Sequence, residues 1–441
     1  MTPKSLFYSH WNHFKFFKLI KQEISKFQFS MVGRVLLKIP RFPFYLSHII
    51  FFNSVLYKFM PFSNTRILSE GRNISNIKKK FSNILDEIKY LSITPKFFIK
   101  FSKEEMIFLK SVNEDSSRFY TERNSILLKR YINPKISRKF NFQREIFFCM
   151  FKNIKFYGDT GFLVFNSKLV LESSYNIFRY CLRSMHFQGL HVKRKIKGVY
   201  TSIMYWDYNN YYHFLIDNLP RLYAISKIKE SEISLIVPKN YRKFYLDIIK
   251  LFLDKRFKIV YISLNEVWEI ERFYFPSFCS NVNNHCRYYI PKLYLDFMKN
   301  KIFESLNIKK RSQNKRIYIS RKKAKVRRLL NEDQLFRILK KYNFKKVYCE
   351  DLPFKKQVEL FNSAEIIIAP HGAGLTNIIF SENLKVIEMF SPTYVAHNYF
   401  MLCKTLNFHY SYIIGYDPND NFDFRIDLHK IENALIDLIE I

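Results

Sequence analysis

The segment at residues 210–221 has the residue types and spacing that proton transfer requires. Its sequence, NYYHFLIDNLPR, places His213 four residues before Asp217, and on a helix this spacing puts both side chains on one face. A histidine ring oriented by a carboxylate is a suitable general base for a hydroxyl group. The same pair also occurs as a purely structural hydrogen bond, so the spacing leaves both interpretations open. Pro220 predicts that the helix ends or kinks there, with Arg221 at its rim.

A glycine-containing segment at residues 370–377, PHGAGLTN, directly follows the apolar run EIIIA. Gly372 and Gly374 permit positive φ angles and a close approach of the backbone to a ligand, and we expect a positive φ at Gly374. A helix that begins near Thr376 would direct its free N–H groups towards an anion such as phosphate. A tight strand-to-helix turn with no ligand has the same pattern.

A basic run follows the predicted strand that ends at Ser320. In YISRKKAKVRRLLNE, six Lys and Arg side chains are released within eight residues. The carboxyl ends of strands in an open α/β sheet are where ligands bind, and guanidinium groups bind phosphate oxygens in pairs. Arg321 is the strongest candidate because it follows the strand directly, whereas exposed lysines are typical of any solvated surface.

The elements that would position these groups form an α/β pattern. After Lys309 the predicted strands RIYIS, KKVYCE, EIIIAP and KVIEMF alternate with the predicted helices NEDQLFRILKKY and KKQVELFNSA, which indicates a parallel Rossmann-like sheet. A looser alternation of strands and helices covers residues 145–300. We therefore predict two Rossmann-like domains, at residues 141–305 and 306–415, in an α/β fold.

The two ends of the chain differ in charge. Residues 1–140 are predicted to be a basic, aromatic and largely helical region, and residues 416–441 a solvated acidic helix. Within residues 1–66 there are ten Lys or Arg and one acid. This composition suits either contact with an anionic membrane surface or a core helix with a basic edge. No signal peptide is visible in residues 1–31. The scattered cysteines favour reduced thiols, so we expect a cytoplasmic protein that is peripheral on the membrane.

The composition excludes some classes of protein. With 48% hydrophobic residues and 9 glycines in 441 residues, the chain is neither intrinsically disordered nor collagen-like. Its net charge of +35 suggests anionic partners, including nucleic acid, but aliphatic rather than aromatic residues flank the basic side chains of residues 309–346. The six cysteines include no CxxC pair, and we expect neither a disulfide framework nor a metal site.

Three ordered segments of the chain resemble glycosyltransferase family 61. They are NYYHFLIDNLPRL, IYISRKKAKVRRLLNED and VYCEDLPFKKQVELFNSAEIIIAPHGAGLTNIIF, and the resemblance covers about residues 145–415. The family includes capsular polysaccharide and lipopolysaccharide enzymes of bacteria and eukaryotic xylosyl- and N-acetylglucosaminyltransferases. The first 140 residues have no counterpart in this resemblance.

The resemblance implies a GT-B fold, in which two Rossmann-like domains face a cleft. It implies a hexosyl- or pentosyltransferase that inverts the anomeric carbon without metal or other cofactor, using a nucleotide-diphosphate sugar and a glycan or glycolipid acceptor in surface polysaccharide synthesis. His213 or Asp217 would be the base, and Glu388 would reach a ribose hydroxyl. The other donor-binding residues implied are Arg321, Arg327, His371, Gly372, Ala373, Gly374 and Thr376. The alternatives are a basic nucleic-acid-binding protein and an inactive GT-B-like scaffold.

Overall fold

The computed structural model describes a mixed α/β architecture. The described residues are 88–105, 109, 142–143, 145–158, 160–165, 168–173, 192–204, 209–264, 266–280 and 289–440. The predicted α/β class is confirmed by two sheets that helices cover. The basic segment at residues 1–66 lies outside the described residues, and the GT-B arrangement of two domains stays a prediction.

Within the described residues, eight strands form a mixed first sheet. Its strands are β1 (Ile88–Thr94), β4 (Ile146–Tyr157), β5 (Leu163–Phe165), β6 (Lys168–Leu169), β7 (Arg194–Thr201), β8 (Ile233–Pro238), β9 (Phe257–Ile262) and β10 (Val267–Pro276), while β2 (Phe97–Phe98) and β3 (Phe142–Gln143) pair separately. The order is β6-β5-β4-β10-β7-β8-β9, with β1 also paired to β4. Strands β10, β7, β8 and β9 are mutually parallel, whereas β1, β5 and β10 run antiparallel to β4.

The parallel part of the first sheet contains a point where the strand order reverses. The chain passes from β7 to β8 and β9 on one side and then returns to place β10 on the other side of β7. At such a point the connections after the two central strands leave in opposite directions, which opens a crevice at their carboxyl ends. Here the crevice lies beyond β7 and β10.

The second sheet is parallel throughout. It consists of β11 (Lys315–Ile319), β12 (Phe344–Val347), β13 (Ala364–Pro370), β14 (Lys385–Phe390) and β15 (His409–Ile414), in the order β12-β11-β13-β14-β15. The predicted strands and their parallel pairing are therefore confirmed. Here the order reverses between β11 and β13, so the ligand crevice of this sheet lies beyond these two strands.

Helices cover both sheets. They are α1 (Lys243–Lys250), α2 (Lys292–Leu306), α3 (Glu332–Lys341), α4 (Phe354–Asn362), a 3₁₀ helix (Ala373–Phe380), α5 (Asn398–Leu406) and α6 (Leu428–Glu440). The helix at the acidic C-terminus is confirmed, but the prediction that it is solvated is wrong. Ile431, Leu435 and Leu438 of α6 are buried against the second sheet, because their spacing places them on one helix face.

One hydrophobic core connects the two sheets. The same cluster of buried side chains includes Ile236 and Phe273 of the first sheet and Ile319 and Ile367 of the second. Leu375 of the 3₁₀ helix belongs to this cluster as well. The carboxyl-end crevices are therefore held by a shared core, and the residues beyond them occupy fixed relative positions.

The N-terminal region is not helical throughout where the structure describes it, although residues 103–105 are helical. Residues 88–94 form strand β1, which pairs antiparallel with β4. Its sequence, IKYLSIT, is rich in β-branched and aromatic residues, which favour a strand once a partner strand is present. Among the described residues, no helix is both long and apolar enough to cross a membrane.

Candidate active site

The helical run at residues 211–226 changes type along its length. Asn210 caps its start, since the Asn210 side chain accepts the N–H groups of Tyr212 and His213. An α-helical turn is followed by a π turn (Phe214–Asn218), a 3₁₀ turn (Leu219–Arg221) and a further α-helical segment (Leu222–Ser226). Of the predicted end or kink at Pro220, the end is not observed: the run continues and changes there from a π turn to a 3₁₀ turn. Pro220 lies in the first turn of the 3₁₀ segment, where its missing N–H is tolerated.

His213 and Asp217 are in direct contact, as their spacing predicts. His213 Nδ1 lies 2.5 Å from Asp217 Oδ2, and Ser280 Oγ donates a hydrogen bond to Asp217 Oδ1. The Asp217 side chain is fully buried, whereas 21% of the His213 side chain is exposed. Because Nδ1 faces Asp217, a proton taken from an acceptor would go to Nε2.

Arg221 lies inside the protein rather than at the helix rim as predicted. Its Nε and Nη2 donate to Pro276 O at 3.0 and 2.7 Å, and its Nη1 donates to Met204 O at 3.3 Å. Burial lowers the pKa of Arg221 to about 9, partly opposed by Cys279 and Asp217, so the guanidinium stays charged at neutral pH. Arg221 thus joins the carboxyl ends of β7 and β10 and places a cation near Asp217.

Arg321 lies against the glycine turn beyond β11 and β13. A Cβ atom at position 372 would meet Arg321 Nη1 at 1.9 Å, so this packing requires glycine. Nη2 donates to Val326 O at 2.9 Å and Nε donates to Arg327 O at 3.3 Å, which curls the basic loop around the guanidinium. Burial and then Arg327 lower the pKa of Arg321 to about 10, so it carries its charge at neutral pH.

The two glycines of the turn serve packing and not a left-handed backbone. Gly372 is extended, with φ −179°, and among the described residues the glycines with positive φ are Gly161 and Gly198. The prediction of positive φ at Gly374 is therefore wrong, and Gly372 does not adopt the positive φ that glycine permits. The helix also begins earlier than predicted, at Ala373. A Cβ at Gly374 would lie 3.2 Å from Ile319 and 3.3 Å from Cys349, inside the core.

His371 forms a second histidine–carboxylate pair. Its Nδ1 lies 2.5 Å from Glu388 Oε1, and Tyr410 OH donates to Glu388 Oε2 at 2.7 Å. Burial raises the pKa of Glu388 well above its ordinary value. Burial, then Arg327 and Arg321, lower the pKa of His371 well below its ordinary value. Glu388 is fully buried and holds His371, which is a different role from the direct ribose contact expected from the sequence.

Arg327 approaches the same pocket from the basic loop. It adopts a left-handed conformation with φ 59°, and its guanidinium carbon lies 4.6 Å from the centre of the Tyr394 ring. His371 also packs against Tyr394, with the centres of the two rings 5.5 Å apart. The buried Arg327 Nε has no hydrogen-bond partner, so Arg327 retains a donor that an anion would satisfy.

Aromatic residues connect the two histidine pairs. Tyr212 lies edge-on to His213 and to Tyr399, at ring distances of 5.5 and 5.8 Å. Tyr399 in turn lies 5.3 Å from His371 and donates a hydrogen bond to Gly372 O at 2.7 Å. The structure thus brings both histidine pairs and the glycine turn into one region.

Direct hydrogen bonds also join the His213 helix to the second sheet. Tyr211 OH donates to Asn377 Oδ1 at 2.6 Å, and Asn377 Nδ2 donates to Gln357 Oε1 at 2.9 Å. Thr376 is fully buried beside this contact, with Oγ1 3.4 Å from Tyr399 OH, so it supports Tyr399. Tyr211 and Tyr399 were missed from sequence, and Arg221 was named but placed at the helix rim. Only their closeness to the predicted motifs could have indicated them.

Comparison with known proteins places these motifs in one family. The family model for glycosyltransferase 61 matches residues 211–387, a range that runs from the start of the His213 helix to the residue before Glu388. The EGF domain-specific O-linked N-acetylglucosamine transferase of Drosophila melanogaster is 42% identical over 69 residues, which are 15% of this chain and 13% of the fly protein. Among the described residues no group of three or more His, Cys, Asp or Glu could hold a metal ion. Residues 211–387 are thus similar to the glycosyltransferase 61 family.

Proposed function

We propose that this protein is an inverting glycosyltransferase that moves a sugar from a nucleotide-diphosphate donor to a hydroxyl group of a glycan or glycolipid. The diphosphate would bind beyond β11 and β13, where Arg321 and Arg327 carry the positive charge. The acceptor would approach His213 beyond β7 and β10. This division of roles is that of a GT-B enzyme with one ligand on each α/β half.

The chemistry follows from the groups in place. His213 Nε2 would take the proton of the acceptor hydroxyl while the acceptor oxygen attacks the anomeric carbon, and Asp217 would stabilise the imidazolium that forms. The bond between the sugar and the diphosphate would break as Arg321 and Arg327 stabilise the charge that develops on the leaving group. Two arginines can supply this stabilisation without a metal ion, which motivates the proposal of metal independence.

One observation carries the proposal more than the others. The partly exposed His213, held by a buried carboxylate, is linked through Tyr212 and Tyr399 to the turn that packs against Arg321. A histidine base by itself, or a basic loop by itself, occurs in proteins of many functions. Glycosyl transfer requires both together: a base for the acceptor hydroxyl and, beside it, a pocket whose positive charge binds the diphosphate.

The identity of the sugar and of the acceptor is proposed more broadly. The similar fly protein is by name an N-acetylglucosamine transferase, which makes a nucleotide-activated N-acetylglucosamine the first donor to test. We propose that the acceptor is a glycan or glycolipid in surface polysaccharide synthesis. We also propose that the enzyme is cytoplasmic and that residues 1–66 bring it to an anionic membrane surface.

A donor screen tests the function directly. The full-length protein is heated with each of a panel of nucleotide sugars, beginning with UDP-N-acetylglucosamine, and stabilisation identifies the donor. A donor present at 100 times its Kd would stabilise the protein by about 2.7 kcal/mol. Release of nucleoside diphosphate in the presence and absence of EDTA then measures turnover and metal dependence.

The outcomes separate the alternatives. Donor binding with acceptor-dependent release of nucleoside diphosphate supports the enzyme. Donor binding without turnover on any acceptor, including glycans, glycolipids and EGF-domain proteins, would indicate the inactive scaffold. Absence of donor binding, with nucleic-acid binding that weakens steeply between 0.05 and 0.3 M salt, would indicate the nucleic-acid-binding alternative, since the steep loss reflects counterion release.

A further inference from the structure

The His371–Glu388 pair is more deeply buried than the His213–Asp217 pair, and the proposed transfer gives it no step. Glu388 has no exposed surface, and only 6% of His371 is exposed. Glu388 Oε1 contacts His371 Nδ1 and Glu388 Oε2 accepts the hydrogen bond from Tyr410 OH. Because Glu388 occupies Nδ1, the other ring nitrogen, Nε2, lies on the opposite side of the ring from the carboxyl group.

The surroundings of the pair determine its protonation state. Arg321 and Arg327 of the basic loop disfavour a positive charge on His371, and burial disfavours a negative charge on Glu388. The remaining titratable groups that face the pair are Tyr394, Tyr399, Cys403 and Tyr410. The shifts in pKa thus favour the neutral form of both members of the pair. The O–H of a neutral Glu388 donates a hydrogen bond to Nδ1, and a neutral ring then carries its own N–H on Nε2.

We propose that His371 is the acid that protonates the leaving diphosphate, and that Glu388 is a positioning residue that resupplies the ring. This inference rests on the proposed function. The location supports it: His371 shares the Tyr394 ring with Arg327, and the next residue, Gly372, packs on Arg321. The proton donor and both cations thus converge on the same anion.

The step balances in atoms and charge. As the bond from the anomeric carbon to the phosphate oxygen breaks, the Nε2–H bond breaks and a proton joins that oxygen. The Glu388 O–H bond breaks at the same time and an Nδ1–H bond forms, which leaves a neutral ring and a carboxylate that Tyr410 OH stabilises. After the product leaves, solvent returns a proton to the pair, and the proton that His213 took from the acceptor is released to solvent.

The tautomer of His371 is the first test, and it requires no substrate. In ¹⁵N-labelled full-length protein, two-bond ¹H–¹⁵N spectra at pH 7 should show His371 protonated on Nε2 and unprotonated on Nδ1, with no charged form. His371→Gln assigns the signal. A ring protonated on Nδ1, or a charged ring at pH 7, would overturn the proposal, since Nε2 would then not be a neutral donor backed by a neutral carboxylic acid.

Kinetic variants form the second test. Glu388→Gln can still donate an N–H to Nδ1 but has no proton to pass on, so kcat with UDP-N-acetylglucosamine, or the donor that the screen identifies, should fall about 100-fold. Binding of inorganic pyrophosphate to Glu388→Gln, measured by calorimetry, should stay within about twofold of that of the native protein. Equal losses of pyrophosphate affinity and kcat would make Glu388 merely structural and contradict the proposal.

The pH profile supplies a readout that a structural role would not change. Activity should be lost as pH rises through the pKa of Glu388, because the pair then has one proton fewer. Tyr410→Phe removes a hydrogen bond that stabilises the carboxylate, so this alkaline limb should move to higher pH. Tyr412→Phe, two residues further along β15 at a position that is 38% exposed, should leave it unchanged. An alkaline limb that stays fixed in Tyr410→Phe would overturn the proposal.

The tests distinguish failure of the acid role of His371 from failure of the proposed function. If no nucleotide sugar is turned over, the function is wrong, and the tautomer measurement still decides the state of the pair. If sugar transfer proceeds and Glu388→Gln retains native kcat, the transferase stands and the acid role is wrong.

Discussion

His213 is the residue on which the proposed proton transfer depends. His213→Ala should lower kcat by about 100- to 10,000-fold and leave pyrophosphate affinity unchanged, because His213 lies on the acceptor side of the site. Asp217→Asn should have a smaller effect, since the ring remains in place and loses only its stabilising charge. Steady-state kinetics and calorimetry measure both, with the exposed His429→Ala as the control.

Two results would change the assignment of the base. Abolished activity in Asp217→Asn, with most activity retained in His213→Ala, would make Asp217 the base. Native kcat in both folded variants would make the pair a structural feature of the helix.

Arg321 is the residue on which donor binding depends. Arg321→Ala should cost about 2–4 kcal/mol of transition-state stabilisation, measured as a loss of kcat/KM, and should weaken pyrophosphate binding. Lys323→Ala in the same loop is the matched control, because Lys323 is exposed and paired with Asp351. Equal effects of the two changes would show that the site responds only to the total charge of the loop.

The residue scale is also where sequence analysis was least complete. The contact of His213 with Asp217 could be predicted because it is local, four residues along one helix. The contact of His371 with Glu388 joins residues seventeen positions apart on two strand ends, and burial of Glu388 depends on β15 covering it. No pattern in the sequence indicates that β15 buries Glu388, so Glu388 was expected to face a ligand.

The glycine turn is the element that separates packing effects from binding effects. Gly372→Ala would displace the flexible end of Arg321 and should weaken pyrophosphate binding about tenfold with little change in stability. Gly374→Val should instead lower the free energy of unfolding by about 1–3 kcal/mol, because its side chain enters the core at Ile319 and Cys349. Calorimetry and urea unfolding distinguish the two, and the reverse pattern would contradict the packing described for this turn.

The segment before α6 is an element that fixes the basic loop. Asp423 accepts the backbone N–H of Arg328 at 2.7 Å and its guanidinium at 2.7 and 2.9 Å, and Asn421 O accepts the N–H of Arg327. Burial raises the pKa of Asp423, but the hydrogen bonds from Arg328 lower it by more than burial raises it. The pKa of Asp423 therefore lies below its ordinary value.

The sign of this pKa shift predicts an acid-dependent stability. A carboxyl group whose pKa is lower in the folded protein contributes stability above its unfolded pKa of about 3.9 and loses it as pH falls through the folded value. Asp423→Asn should therefore be less stable than the native protein in urea at pH 7, and this difference should narrow below about pH 4. The exposed Asp437→Asn should show no difference at either pH, and a gap that widens in acid would contradict the assignment.

At the scale of the whole molecule, the Tyr211–Asn377 hydrogen bond ties the acceptor side to the donor side. Tyr211→Phe should lower the free energy of unfolding by about 0.5–1.5 kcal/mol and should lower kcat severalfold, because the His213 helix is then less firmly placed. Tyr342→Phe loses a hydrogen bond to Glu432 within the second half and should retain native kcat. Native kcat in both variants would show that Tyr211 serves stability alone.

The sequence by itself determined which segments are strands and helices after Lys309 and which charged residues follow them. Both are local properties: unbroken apolar runs report strands buried on two faces, and Arg321 directly follows one of them. The family resemblance also followed from sequence, because three motifs occur in one order.

Only the tertiary structure decided which strand ends meet. The order β12-β11-β13 places Arg321, which follows β11, beside Gly372, which follows β13. In the first sheet β10 lies next to β7, and the buried Arg221 hydrogen-bonds to the carboxyl ends of both strands. The residue pattern of a fully apolar strand does not indicate which other strand it pairs with. The choice among neighbours depends on connections and on the shared core of the two sheets, which are properties of the folded chain and of no single segment.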